Sequence, residues 1–167
     1  MSNRNEHFIV IMLEAIPFDT EFEIWAQHIT VVPWFPVADE AKLDKILKSI
    51  AARHWPFRVR VGDHEVWGKK EKYEVLTIHD EGSLNQLHLD IFNSLENNSF
   101  TVHQKDYLGD QYAPHIAIRN QIQRAQAVLV PGQEIKISSF SLVNQVRLKG
   151  SGRMIKKLER NYTLNEK

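Results

Sequence analysis

An α+β fold, built as two pseudo-symmetric lobes that are each an antiparallel sheet with outer helices, is what this sequence predicts. Three observations predict it. Short apolar runs, several alternating with period two, recur along the 167 residues and read as strands. Two longer stretches space their apolar residues as helices do and are too few to alternate regularly with the strands. Each half of the chain also contains a strand with a histidine on one face and branched apolar residues on the other, Ile29 and Val31 in the first and Ile116 and Ile118 in the second. The length suits a single bilobal domain over residues 1–167.

Taken in order, the polar residues 1–7 lead into Phe8-Ile9-Val10-Ile11-Met12-Leu13, which is apolar at every position and reads as a central strand. Residues 16–26 mix aromatic and acidic side chains and read as a loop. In Gln27-His28-Ile29-Thr30-Val31-Val32-Pro33-Trp34-Phe35, alternation puts His28, Thr30 and Val32 on one face and Ile29 and Val31 on the other. Pro33 breaks that run, because it cannot donate to a ladder. Residues 39–53 form a helix on the spacing of Leu43, Ile46, Leu47, Ile50 and Ala51, with Asp39 as cap and Pro56 as stop. Phe57, Val59 and Val61 alternate inward. Gly62-Asp63 marks a turn, with a short returning strand over 64–68. Residues 73–79 read as another strand.

Ser83 and Gln86 make a capping box for a second helix, whose stripe is Leu84, Leu87, Ile91 and Leu95. Phe92 lies beside that stripe and His88 at its edge. A polar loop over 101–111 precedes Pro114-His115-Ile116-Ala117-Ile118-Arg119-Asn120, where His115, Ala117 and Arg119 share a face. A short helix is expected over 121–129, a long strand over 135–146 and a final strand over 161–164. The two histidine strands stand half a chain apart, as two related lobes sharing one groove would place them.

Composition narrows the function. The 21 basic and 21 acidic side chains cancel, so the chain has no strong basic field for long duplexes. If nucleic acid is the partner, a short end, a nucleotide or a small phosphoester suits the chain better than a long duplex. There is no cysteine, which excludes disulfides, thiolate metal sites and cysteine nucleophiles. The early apolar run is far too short to span a membrane and no secretory pattern precedes it, so a cytoplasmic protein is expected.

His28-Ile29-Thr30 followed by Pro33 and Phe35, together with Tyr112-x-Pro114-His115-x-Ala117-Ile118, resembles the paired His-x-Thr/Ser signature of the 2H phosphoesterase superfamily, and within it the 2′-5′ RNA ligase-like group. One such triplet is a weak signal; two in similar apolar strands are far more specific. The likeness runs from Phe8 to Leu164. Ala117 stands where the group has threonine or serine.

The resemblance implies a metal-independent phosphodiesterase, with no cofactor, acting on 2′,3′-cyclic or 2′-5′ phosphodiesters of nucleotides or RNA ends, and 2′-5′ ligation as its reverse. A monomer is expected. His28 and His115 would be the catalytic pair, since imidazole holds or releases a proton near neutrality. Which is base and which acid is left open. Thr30 would hold a non-bridging oxygen, and Arg119 would replace the hydroxyl that Ala117 lacks. Trp34, Phe35 and Tyr112 are candidates to stack on a base, against the alternative of core or rim packing. The competing class is a non-catalytic nucleotide- or RNA-binding relative, which Ala117 favours. His7, His54, His64, His79 and His103 show no ligand spacing, and Lys69-Lys70 and Lys156-Lys157 read as solvated charge, with guidance of an RNA backbone as the alternative for either pair.

Overall fold

A computed structural model describes residues 5–104, 106, 108–118 and 129–166. Its strands are β1 (Asn5–Met12), β2 (Glu21–Phe22), β3 (His28–Phe35), β4 (Phe57–Trp67), β5 (Tyr73–His79), β6 (His115–Ile118), β7 (Glu134–Ile137), β8 (Ser139–Arg147) and β9 (Met154–Thr163). The helices are α1 (Glu40–Arg53) and α2 (Ser83–Asn97). Nine strands make one sheet in the order β2-β9-β8-β1-β3-β6-β5-β4-β7. Every neighbouring pair is antiparallel. The α+β class is as expected. The two half-sheets, however, run into each other through β3 and β6 rather than standing as separate sheets.

The halves are also interleaved. β1, β2, β3, β8 and β9 build one, and β4, β5, β6 and β7 build the other. The run expected as one strand over 135–146 is therefore two. β7 ends at Ile137, β8 begins at Ser139, and the chain crosses between halves at Ser138, whose carbonyl accepts from the Leu164 N–H at 2.9 Å.

Both helices cover one sheet face. Leu43, Leu47 and Ile50 of α1 and Leu84, Leu87, Ile91 and Leu95 of α2 are buried with Ile9, Ile11, Ile29, Ile116 and Phe140. Removing this much apolar surface from water is the main driving force for the fold. The residues between them on β1, Phe8, Val10 and Met12, join a smaller cluster with Trp25, Phe22 and Val143 on the opposite face. That is how a strand apolar at every position is satisfied. Asp39 caps α1 as expected, accepting from the Lys42 N–H at 3.0 Å. At α2 the capping box does not form. The Asp80 carboxylate accepts instead from the N–H groups of Leu84 (3.0 Å) and Asn85 (2.8 Å), while Gly82 turns the chain at φ 118°. His54, at the end of α1, meets Asp90 of α2 at 2.7 Å.

Two local departures shape the groove. In β3, Val10 pairs with Thr30 but Ile9 with Val32, so Val31 is an extra residue; a second shift precedes Phe35, which pairs with His7. Such bulges break strict alternation. Val32, expected beside His28 and Thr30, is turned into the core with Val31. In β4 the Gly62-Asp63 turn does not form; one strand runs from Phe57 to Trp67 with a register shift between Val61 and His64. β9 is far longer than the expected 161–164. The helix expected over 121–129 lies almost wholly outside the described residues. Among the described residues, no helix is long and apolar enough to cross a membrane.

Gly62 permits a close approach at that shift. A Cβ there would sit 2.3 Å from Thr77 Oγ1, and that hydroxyl is tied to Asp63, accepting from its N–H at 2.9 Å. Thr77 neighbours His115 across β5 and β6. Gly62→Val is expected to lower stability by about 1–3 kcal/mol in chemical denaturation, as overpacking does. A variant as stable as the parent would show that β4 relaxes freely.

Candidate active site at the junction of the half-sheets

The junction dictates what faces what. Ile29 of β3 pairs with Ile116 of β6, and both are fully buried on the helix side. Alternation then raises His28, Thr30, His115 and Ala117 from the other face. The antiparallel register sets Ala117 beside His28 and Thr30 beside His115. The two imidazoles are diagonal neighbours, a relation that separates residues by about 7–8 Å. Both line a groove of about 450 Å³, together with Thr30, Trp34, Tyr73, Tyr112 and Lys156.

The rings are fixed alike. His28 Nδ1 is 2.8 Å from the Ala26 carbonyl and His115 Nδ1 is 2.9 Å from the Ala113 carbonyl, each two residues back. A carbonyl can only accept, so each Nδ1 carries a hydrogen and Nε2 is the nitrogen of the neutral ring with a lone pair to offer. Each ring also rests on an indole. Trp25 packs on His28 at 4.3 Å between centroids and Trp67 on His115 at 4.7 Å. Trp67 is held in turn by its Nε1, which donates to Glu65 at 2.6 Å. Neither tryptophan is among the residues the sequence singles out. Trp25, three positions before His28, is the one a local reading could have flagged.

The other expected site residues are placed as follows. Thr30 and Trp34 line the groove, and the Trp34 ring lies 4.8 Å from that of His103. Tyr112 lines it too, but its ring stacks on His88 at 4.0 Å and its hydroxyl donates to the Thr30 carbonyl at 2.8 Å. Burial, reinforced by Asp80, pushes that phenol far above its ordinary range. Phe35 is a correction. The bulged β3 turns it into the core, fully buried against Phe100 and His7, where it offers no face to a base. Arg119 lies outside the described residues. Lys156 is a second correction: it is 7 % exposed and walls the groove rather than standing in solvent.

His88 also departs from its expected place at a helix edge. It is wholly buried, donates from Nδ1 to the Val31 carbonyl at 2.7 Å and accepts at Nε2 from the Gly109 N–H at 2.9 Å. With Tyr112 it ties α2 to the bulge of β3 and to the loop before β6. Away from the groove, His7, Glu40 and Glu159 have ligand-type atoms within 4.8 Å of one another. His7 and Glu159 already face each other at 3.3 Å, and that contact holds Glu159 below the usual carboxylate range. The His7–Glu159 contact thus already engages two of these three groups.

A family model described as the 2′-5′ RNA ligase superfamily matches residues 10–141, a span that includes both histidine strands. Among solved structures, TT0787 of Thermus thermophilus is similar at TM-score 0.64 and 18% identity, over 95% of this chain and 97% of that one. LigT of E. coli, complexed with 3′-AMP, is similar at TM-score 0.61 and 17% identity, over 99% and 100%. A protein described as a phosphoesterase is similar at TM-score 0.61 and 16% identity, over 98% and 99%. At these identities the likeness is one of fold. No curated protein matches the chain.

Burial lowers the pKa of His88 from 6.5, outweighing its bond to the Val31 carbonyl. The folded state therefore holds it neutral, while the unfolded chain takes up a proton as pH falls below that ordinary value. The stability His88 contributes is fully present above it and is lost as pH falls toward the folded value. Thermal unfolding from about pH 8 to about pH 5 should show a falling Tm, and a shallower fall in His88→Gln. An unaltered slope in that variant would assign the acid sensitivity to other groups.

Proposed function

The chain belongs to the 2′-5′ RNA ligase superfamily, and from that premise we propose that it is a phosphodiesterase acting on 2′,3′-cyclic or 2′-5′ phosphodiesters of nucleotides or RNA ends by two-histidine acid–base catalysis. One observation carries the reading. Two histidines from different half-sheets share a groove, and each is oriented by the carbonyl two residues back so that Nε2 is its proton-exchanging nitrogen.

The chemistry follows from that pair. One neutral Nε2 takes the proton of the attacking water as its oxygen bonds to phosphorus. The other imidazole, protonated, gives its proton to the departing ribose oxygen as the P–O bond breaks. For a 2′,3′-cyclic phosphate the product is a ribose monophosphate. With the 5′-hydroxyl of a second RNA end in place of water, the same two proton transfers join that oxygen to phosphorus as the P–O3′ bond breaks, which turns the cyclic phosphate into a 2′-5′ bond; the reverse cleaves it. Thr30 donates to a non-bridging oxygen, where negative charge builds. Tyr112 acts as a positioning residue, since it holds the Thr30 backbone. Trp34 remains the aromatic with access to a base. Ala117, beside His28, supplies no hydroxyl, and Arg119, two positions on, is proposed to take its place on the phosphate.

A second reading rests on Ala117 alone: a relative that keeps the groove and binds nucleotides without turning them over. Incubation with 2′,3′-cyclic nucleotides in a chelator separates the two. The enzyme reading expects turnover that survives the chelator and falls by roughly 10²–10⁴ in both His28→Ala and His115→Ala. Binding without turnover by the parent protein would instead establish the module. Ala117→Thr should raise kcat, and Arg119→Ala should lower kcat/KM roughly tenfold or more. An indifferent Arg119→Ala would remove that residue from the site.

A further inference from the structure

The floor of the groove continues past the histidines. Gln145 and Arg147 stand two apart on β8, so they rise from one face. The β8–β9 register sets Lys156 beside Gln145 and Met154 beside Arg147. This face is the catalytic one: Val10, which pairs with Thr30, lies two residues from Phe8, and Phe8 pairs with Val143, two residues before Gln145. Gln145, Met154 and Lys156 line the histidine groove. Gln145, Met154, Trp34, Arg147 and Glu6 line an adjoining cavity of about 540 Å³. Three shared walls, Trp34, Gln145 and Met154, set the two cavities side by side.

Lys156 is the permanent cation among the described groove-lining residues, and Asp106 the carboxylate. The Lys156 ammonium donates to the Glu23 carbonyl and lies 5.7 Å from the centroid of Trp25, the indole packed on His28. A buried stem with an anchored head fixes where its charge is delivered, unlike a surface lysine. Its neighbour Lys157 leaves the other face of β9, partly exposed, and pairs with Asp19 at 2.8 Å. At the far end Arg147 adds a second positive charge and Glu6 a second negative one, so the four formal charges cancel and the patch offers two cationic donors beside an aromatic wall.

We propose that Lys156, with Gln145 and Arg147, holds a second phosphate of the substrate, beyond the phosphoester that lies between the histidines. This rests on the phosphodiesterase reading and narrows its substrate to a nucleotide carrying two phosphate groups. The second is either on the 5′ oxygen of the same nucleoside, a monoester, or the next link of an RNA chain, a monoanionic diester; both present anionic non-bridging oxygens to these donors.

Calorimetric titration with three product-like probes tests it at low salt: a nucleoside 3′-monophosphate, a nucleoside 3′,5′-bisphosphate, and a dinucleotide ending in a 3′-phosphate. At least one doubly phosphorylated probe should bind about tenfold tighter than the monophosphate, as a charge-assisted contact is worth. The tighter of the two identifies the source of the second phosphate. In Lys156→Met and in Arg147→Met the affinity ratio of that probe to the monophosphate should fall toward one. Circular dichroism checks folding, and Arg147, being exposed, carries the test if Lys156→Met does not fold. Equal affinity for all three probes would overturn the subsite and leave the histidine site standing. Failure of every probe to bind would overturn both.

Discussion

The structure depends on a short ladder, the pairing of β3 with β6 through Ile29 and Ile116. Both isoleucines are fully buried, and that fixes the register. A slip of one residue would turn them into a polar groove and drive two imidazoles into the helix-covered core. Hydrophobic burial on one face thus decides the chemistry available on the other. The four residues of β6 could not hold this alignment alone. β5 flanks β6 on its other side, with Thr77 beside His115.

A second tie works across the layers. His88 reaches from α2 to the carbonyl of Val31, the extra residue in β3, and stacks on Tyr112, which bonds the carbonyl of Thr30. The bulge would otherwise leave backbone groups without partners inside the protein, which is costly. It is filled by an imidazole that must stay neutral to accept from Gly109. The same arrangement keeps Thr30 at the groove while sending Phe35 to the core.

The two motif strands, both helices and the doubly apolar β1 were legible because period and face agree in each of them. What was not legible turned on partners that sequence does not name. Val31 and Val32 look alike, and only the pairing with β1 shows which is extra. Gly62-Asp63 carries the residues of a turn, yet β5 continues past it and makes it a bulge. In residues 135–146 the alternation changes phase at Ser138-Ser139, from Ile135 and Ile137 to Phe140 and Leu142, and this small shift is the trace that the change of half-sheet leaves in hydropathy. Lys156 sits in a run of charges, and charge alone does not say which member points inward. His88 was misplaced for a related reason: a polar residue beside an apolar stripe is usually wet, and here a carbonyl and an amide from two other segments accommodate it.

Because the chain passes from β3 to β4 and back from β7 to β8, neither wall of the groove is a continuous length of polypeptide. The resemblance between the walls is therefore one of shape, not of two modules joined by a hinge. Severing the chain cannot release either wall as an autonomous folding unit. Opening or narrowing of the cleft must come from flexing and twisting of a single continuous β-surface, a stiffer motion than a swing about a linker.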